Sequence, residues 1–438
     1  MNKFKKWATN LGILLALGAG LAAWIALPWQ GLLVLTALLG LWLALTRRGK
    51  QTLAVAGVGI ASLPQRWGSS GVIIVGIAGV VGVLVAMLAM GEGFEATLKG
   101  TGSDDSAIVL RGGAQAETNS NIARDQVPLI AALAGVARDS NGRPLLSAEA
   151  SQIASLPKRE DGIDANAQIR GIGAEAWELR SQVKITAGRK FEPGKRELVV
   201  GTRAQQQYRG LDLGGQIELA NQQWDIVGVF ESGDSHDSEL WVDAETLMTT
   251  YSRPAFQSVV VKLDGKDGFE QLKAALAADP RLKLDVQTTR DYYTKQSQGL
   301  TTLIKVLGTF VGTIMAIGAV FGALNTMYAA VAGRAREIAT LRAIGFRGLP
   351  VVMAVMLETM MLALLGGVLG AVLAWGIFNG YSVATLSGNF SQVVFQFRVT
   401  PELLWTGMKW ALGIGLIGGL FPALRAARMA VVDALRAG

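Results

Sequence analysis

The only histidine of the chain, His236, stands beside Asp234, Asp237 and Glu239, the one acidic cluster that includes an imidazole. Three or more such side chains converging with an ordered outer shell would hold a metal ion. The plainer reading is a solvated turn between strands, and no metal site is assigned. The sequence contains no cysteine, which removes disulfides, thiolate zinc sites and thiol catalysis. No Ser-His-Asp spacing or paired-carboxylate pocket gives His236 a catalytic partner, so no catalytic residue is assigned. The phosphate loop GxxxxGK[ST] is also missing. The glycine-rich stretch Gly210–Gly215 lacks the Lys-Ser/Thr pair. The chain is therefore expected to carry no cofactor, and any ATP and Mg²⁺ would be bound by a separate partner.

A second set of residues could transmit force. The run Arg334-Ala335-Arg336-Glu337-Ile338-Ala339-Thr340-Leu341-Arg342-Ala343-Ile344-Gly345-Phe346-Arg347 places Ile338, Leu341 and Ile344 on one helical face and its charges elsewhere. Gly345 supplies a C-terminal stop. Such a helix, read over 334–347, can dock into a partner's groove or lie at lipid head groups held by its arginines. A single carboxylate, Glu358, falls inside a membrane-length apolar stretch. It reads either as functional or as an interfacial partner of Arg347 or Arg342.

These residues are positioned by membrane spans. Residues 7–46, 67–91, 306–333 and 359–397 contain no charged side chain, and a bilayer core needs roughly 20 apolar residues in a helix. Pro28, Trp29 and Gln30 divide the first run into spans near 8–27 and 31–46. Residues 1–27 start basic like a signal peptide, but no small-residue cleavage site precedes a polar stretch, so they read as a retained span. The other spans are expected near 70–91, 302–331, 350–378 and 403–424, six in all. Residues 50–66 read as a helix at the cytoplasmic surface. Segment 379–401 is polar and aromatic and lies outside. Lys305 and Lys409 sit near outer ends and are expected to snorkel.

Charge sets the orientation. Residues 92–299 hold 24 Lys+Arg and 30 Asp+Glu, a net of −6, and the remainder holds 17 and 4, a net of +13. Basic residues beside the spans follow the positive-inside rule, which puts both termini in the cytoplasm and residues 92–299 outside. This basic excess is topology rather than a nucleic-acid footprint. Residues 92–299 read as an α/β domain. Strand-like runs occur at 107–111, 183–186, 197–201, 216–220, 224–230 and 257–263. Helical spacing occurs at 145–156, 243–251 and 267–279, with Ser147 and Asp267 as helix starts. The fold class is thus an α-helical integral membrane protein with an inserted α/β extracytoplasmic domain. Gly308 and Gly312, Gly318 and Gly322, Gly366 and Gly370, and Gly415 and Gly419 are four apart, a spacing that permits close helix contact within the bundle or with a second copy.

The segment Arg336-Glu337-Ile338-Ala339-Thr340-Leu341-Arg342-Ala343-Ile344-Gly345 resembles the signature of FtsX-like permeases. Gly418-Gly419-Leu420-Phe421-Pro422-Ala423-Leu424-Arg425-Ala426-Ala427, followed by Ala434-Leu435-Arg436, is similar to that family's terminal pattern. Gly188-Arg189-Lys190-Phe191, Glu197–Gly201 and Trp224–Phe230 resemble the MacB-type periplasmic core domain. The resemblance covers about residues 50–438. It implies an ABC transporter permease of the inner membrane that works as a dimer with a second copy or paralogue. Each subunit would bind a cytosolic ABC ATPase through 334–347, using Arg334, Arg336, Glu337, Leu341, Arg342, Ile344 and Gly345. ATP-driven closure would then move the outer domains by mechanotransmission, exporting or extracting a substrate, with a periplasmic adaptor as a further partner. The other role open to such a machine is signalling to a partner such as a cell-wall hydrolase, without transport. The family norm is four spans, so the pair within 1–49 is additional. Residues 50–91 would be the surface helix and first family span, and 300–438 the permease domain.

Overall fold

A chain in lipid must satisfy its backbone polar groups internally, so the apolar runs become helices. The computed structural model describes residues 20, 23–61, 63–387 and 391–429. Its long helices are α1 (Trp29–Leu45), α2 (Arg47–Ala61), α3 (Trp67–Thr101), α4 (Thr289–Gly333), α5 (Ala335–Ala343), α6 (Gly348–Phe378) and α7 (Pro401–Arg428). The chain divides into two units. A helical unit comprises residues up to Ala89, Ile304–Asn379 and those from Arg398 onward. An α/β unit comprises Met90–Leu303 and Gly380–Phe397. Helices α3 and α4 each run unbroken through a boundary and contribute residues to both units.

Among the described residues, four helices (Leu63–Thr101, α4, α6 and α7) are long and apolar enough to cross a membrane. A fifth is counted if the bent pair α1–α2 acts as one. The six expected spans are therefore carried only to four or five, and most of 8–27 lies outside the described residues. Helices α1 and α2 meet at 96°. Thr46 makes the break. Its extended backbone ends α1, and its Oγ1 accepts from Gly49 N at 2.9 Å, satisfying a free donor at the start of α2. Only glycine fits at position 49, because a Cβ there would overlap the backbone of Trp42 and Leu43. Lys409 was expected to snorkel. Instead its ammonium donates to the carbonyls of Ile25 and Leu27, and Trp24 Nε1 returns a bond to Lys409 O at 3.0 Å. The segment before Pro28 is thereby tied to α7.

The core of the helical unit is built from α3, α4, α6 and α7, with Val81, Ala363, Ala411 and Ala423 fully buried. Three of the four glycine pairs make it possible. A Cβ on Gly366 or Gly370 would stand 2.8 or 2.5 Å from the carbonyl oxygens of Ile74 or Ala78 on α3. One on Gly415 would meet the Ala363 side chain at 2.5 Å, and one on Gly419 would overlap Thr359. Gly308 and Gly312 press on Met87 and Leu84. Gly318 and Gly322 face open space.

The α/β unit is organised by a ten-stranded sheet in the order β10-β1-β9-β2-β3-β8-β5-β7-β4, with β6 pairing β7. The strands are β1 (Ser106–Arg111), β2 (Leu146–Pro157), β3 (Asp164–Ile172), β4 (Lys184–Gly188), β5 (Glu197–Gly201), β6 (Gln216–Leu219), β7 (Gln222–Glu231), β8 (Glu239–Asp243), β9 (Ser258–Lys262) and β10 (Leu284–Thr288). Pairs β3–β8 and β5–β7 are parallel and the others antiparallel. Every predicted strand is present, and helices form at Ala244–Thr250 and Gly268–Ala278. The helix expected over 145–156 is instead strand β2. Its Ala, Glu and Gln residues favour helix locally, but they pair with β9 on one side and β3 on the other. Tertiary pairing overrides the local preference. Segment 379–401, read from the sequence only as polar and aromatic, has regular structure. It forms the hairpin β11 (Ser382–Leu386) and β12 (Gln392–Gln396), which belongs to the α/β unit.

Five buried charges sit at the centre of this sheet. Arg170 on β3 donates from Nη1 to Glu117 at 2.8 Å and Glu149 at 3.1 Å, and from Nε and Nη2 to both oxygens of Glu239 at 2.8 Å. Arg180 grips both oxygens of Glu149 at 2.7 and 2.9 Å. Burial alone would raise the carboxyls of Glu149 and Glu239. Arg180 and Arg170 outweigh it at Glu149, and Arg170 with His236 at Glu239, so both lie below the ordinary value of 4.5. A depressed carboxyl contributes stability that is present above its unfolded value and lost as pH falls through the folded one. Thermal unfolding of the purified chain should therefore change little on this account from pH 7 to 5. It should weaken progressively below about pH 4.5. A melting temperature that rises on acidification below 4.5 would contradict this.

Candidate functional site

Helix α5 begins where α4 ends. Arg334 leaves helical geometry, and Ile338 N then bonds to Arg334 O at 3.0 Å to start the new helix. Its end is a Schellman closure. Gly345, at φ +106°, donates to Arg342 O, and Phe346 donates to Leu341 O, both at 3.1 Å. Leu341 and Phe346, the two ends of this closure, both pack against Val55 and Ala56 of α2 and Ala354 of α6.

The expected apolar face is divided. Ile338 is buried in the protein's own bundle and Leu341 is half-buried in the cluster just named. Ile344 lies past the last helical residue and is 69% exposed. Arg336 and Glu337 are exposed, and Arg342 donates to Met429 O. Of the seven residues singled out, Arg336, Glu337 and Ile344 are thus exposed, while Arg334, Leu341, Arg342 and Gly345 fix the helix in place.

Glu358 is the carboxylate around which the site is built. It lies ten residues into α6 and about 15 Å along it, and only 4% of its side chain is exposed. Arg66 Nη2 reaches Oε1 at 3.1 Å and Arg334 Nη1 reaches Oε2 at 3.2 Å. Arg334 also pairs with Glu337 at 3.0 Å. Two arginines and two glutamates balance to zero. The expected partners Arg347 and Arg342 are not used. Arg347 lies at the far N-terminal end of the same helix, whereas Arg66 and Arg334 come from segments packed across α6. Gly59 of α2 leaves the room, because a Cβ there would stand 2.8 Å from Glu358 Oε2 and 3.1 Å from Arg334 Nη1. Arg66 and Gly59 escaped the reading of spacing alone. The available signal was one arginine directly before a charge-free run and one glutamate directly before another.

The His236 cluster is not a solvated turn. Asp234, His236, Asp237 and Glu239 are all at most 5% exposed. Each acid is committed within the fold. Asp234 accepts from His236 N and pairs with Nδ1, both at 2.9 Å. Asp237 accepts from Ser232 N at 2.6 Å and Gly233 N at 3.1 Å, and Glu239 is held by Arg170. Burial pushes the Asp234 carboxyl up, but the His236 ring and the bonds from His236 and Ser232 outweigh it and hold it well below the usual range. Among the described residues no group of three His, Asp or Glu side chains is arranged to hold a metal.

Comparison with known proteins agrees with this architecture. Residues 70–279 match the MacB-like periplasmic core domain, and residues 309–431 match the FtsX-like permease C-terminal domain. The uncharacterized ABC transporter permease YknZ of Bacillus subtilis is 23% identical over 81% of this chain and 92% of its own length. The macrolide export ATP-binding/permease protein MacB of Chromobacterium violaceum is 25% identical over 83% of this chain, but only 57% of that protein is spanned. The crystal structure of the periplasmic region of MacB from Actinobacillus actinomycetemcomitans superposes with a TM-score of 0.33 at 12% identity, over 44% of this chain and 93% of that one. With spanning helices, a mixed α/β domain inserted between them and both domain matches in order, the chain belongs to the MacB/FtsX-like family of ABC transporter permeases.

Proposed function

We propose that this chain is the permease subunit through which a separate cytosolic ABC ATPase moves the α/β domain on the far side of the inner membrane to export or extract a substrate. The observation that carries the reading is the division of labour in α5. Its closure and its ion pairs fix it to the bundle, while Arg336, Glu337 and Ile344 remain exposed to a partner. A fixed helix with a free rim transmits a push, whereas a loosely held one absorbs it. The match over nearly the full length of a relative described as a permease supports an ATPase on a separate chain. The subunit works as a pair, and Gly318 and Gly322 are small residues left open for a second copy.

The test is co-purification of the chain with its ATPase. Arg336→Glu and Ile344→Asp each remove an exposed contact and are expected to cost about 2 kcal/mol of association, roughly 30-fold in affinity. Membrane insertion and the melting temperature should be unchanged, because neither side chain is buried. Association equal to that of the unaltered chain in both variants would contradict the assignment.

A further inference from the structure

The hairpin β11–β12 follows α6 and precedes α7, yet it belongs to the α/β unit. Its seating there is specific. Val394 N donates to Ser238 Oγ at 3.0 Å, and Val394 O accepts from Arg203 Nη1 at 2.7 Å. Ser391 Oγ donates to Gln168 of β3 at 3.0 Å. Phe395 is fully buried, edge-on to Phe94 at 5.4 Å. The backbone of Gln396 lies so close to Gly93 that a Cβ there would overlap its carbonyl oxygen.

The hairpin's connection to the two spans has almost no slack. Helix α6 ends at Phe378, and Gly380 already bonds through N to Phe397 O at 2.9 Å. Asn379 Oδ1 accepts from Val399 N at 3.1 Å, two residues before α7 begins. Helix α6 is also the helix that carries Glu358, the carboxylate gripping Arg334 at the head of α5.

We propose that the hairpin is a tie through which α6 and α7 act on the α/β domain directly, in parallel with the continuous helices α3 and α4. A displacement of α5 reaches α6 through the Arg334–Glu358 pair, and the end of α6 is the beginning of the hairpin. The hairpin delivers the displacement to the turn at Ser238, to Arg203 and to β3. This inference rests on the proposed coupling of α5 to an ATPase.

The test introduces slack without disturbing the seat. Four residues, Gly-Ser-Gly-Ser, are inserted both after Asn379 and after Phe397 in the full chain, purified with its ATPase. The protein has no cysteine, so spin labels are placed at cysteines replacing Asn141 and Gly376, both exposed. The label distance is measured with ADP and with ATP plus vanadate. The parent chain is expected to show a nucleotide-dependent shift. The slack chain should lose at least half of that shift while its complex hydrolyses ATP within about twofold of the parent. Phe395→Ala, which unseats the hairpin by removing its buried ring, should act in the same direction. A slack chain with the full shift overturns the tie and leaves the ATPase reading standing. A parent chain that binds no ATPase, or shows no shift, overturns both.

Discussion

Replacing Arg170 by methionine is expected to cost the α/β domain about 3–5 kcal/mol, the penalty for breaking a buried ion pair by removing one partner. In a domain of this size that lowers the melting temperature by roughly 6–20 °C. Arg170 is 1% exposed and is the common partner of Glu117, Glu149 and Glu239. Without it Glu149 retains Arg180, and Glu239 retains the Trp241 indole at 2.8 Å, but Glu117 keeps only neutral donors such as Ser258 at 2.7 Å. Lysine should not rescue, because a point ammonium cannot reproduce the forked contact with Glu239. Arg281→Ala provides the contrast. Its partner Asp279 is bonded at the surface, and exposed pairs contribute about 0–1 kcal/mol. Thermal unfolding followed through tryptophan fluorescence reads both, and an Arg170→Met chain melting within 2 °C of the parent would contradict the assigned role.

Replacing Glu358 by leucine is expected to separate ATP hydrolysis from movement. Arg66 and Arg334 would then share no carboxylate at position 358, and Arg334 would retain its pair with Glu337 at 3.0 Å. The head of α5 loses its attachment to α6. ATPase should still bind through Arg336 and Ile344, while the nucleotide-dependent displacement of the α/β domain falls at least tenfold, about 1.4 kcal/mol of coupling. Gly59→Val reaches the same contact from the other side, since its side chain would press on Glu358 Oε2 and Arg334. Spin-label distances in the ATPase complex measure the effect. Full displacement in both variants would remove Glu358 from the force path.

Four or five of the six expected spans and the amphipathic segment are legible because lipid imposes one strong rule, an apolar helix of sufficient length, and because the closing glycine of α5 stands in sequence where the backbone needs it. The helical unit's packing was legible in part. The spacing of the glycine pairs indicated close approach, but which faces meet depends on tertiary contacts. Strand β2 reads as helix in the sequence because Ala148, Glu149, Ala150 and Gln152 favour helix locally, and only the flanking strands decide otherwise. Glu149 illustrates the difficulty, since a charged residue in the middle of a strand looks like a solvent face unless Arg170 and Arg180 are known to meet it. The His236 turn looks solvated in sequence for the same reason. The hairpin has a readable signal, two β-rich runs around Ser387-Gly388-Asn389, which the polar and aromatic character of the segment between two spans masks.

The proposed coupling requires a contact between the rim of α5 and a separate nucleotide-driven subunit. A photo-crosslinking residue placed at position 344 in living cells tests it most directly. The predicted result is a light-dependent adduct with one ABC ATPase, strengthened or weakened by the nucleotide state. An adduct with lipid alone, or labelling of a cysteine at 344 by a membrane-impermeant reagent added outside intact cells, would contradict it.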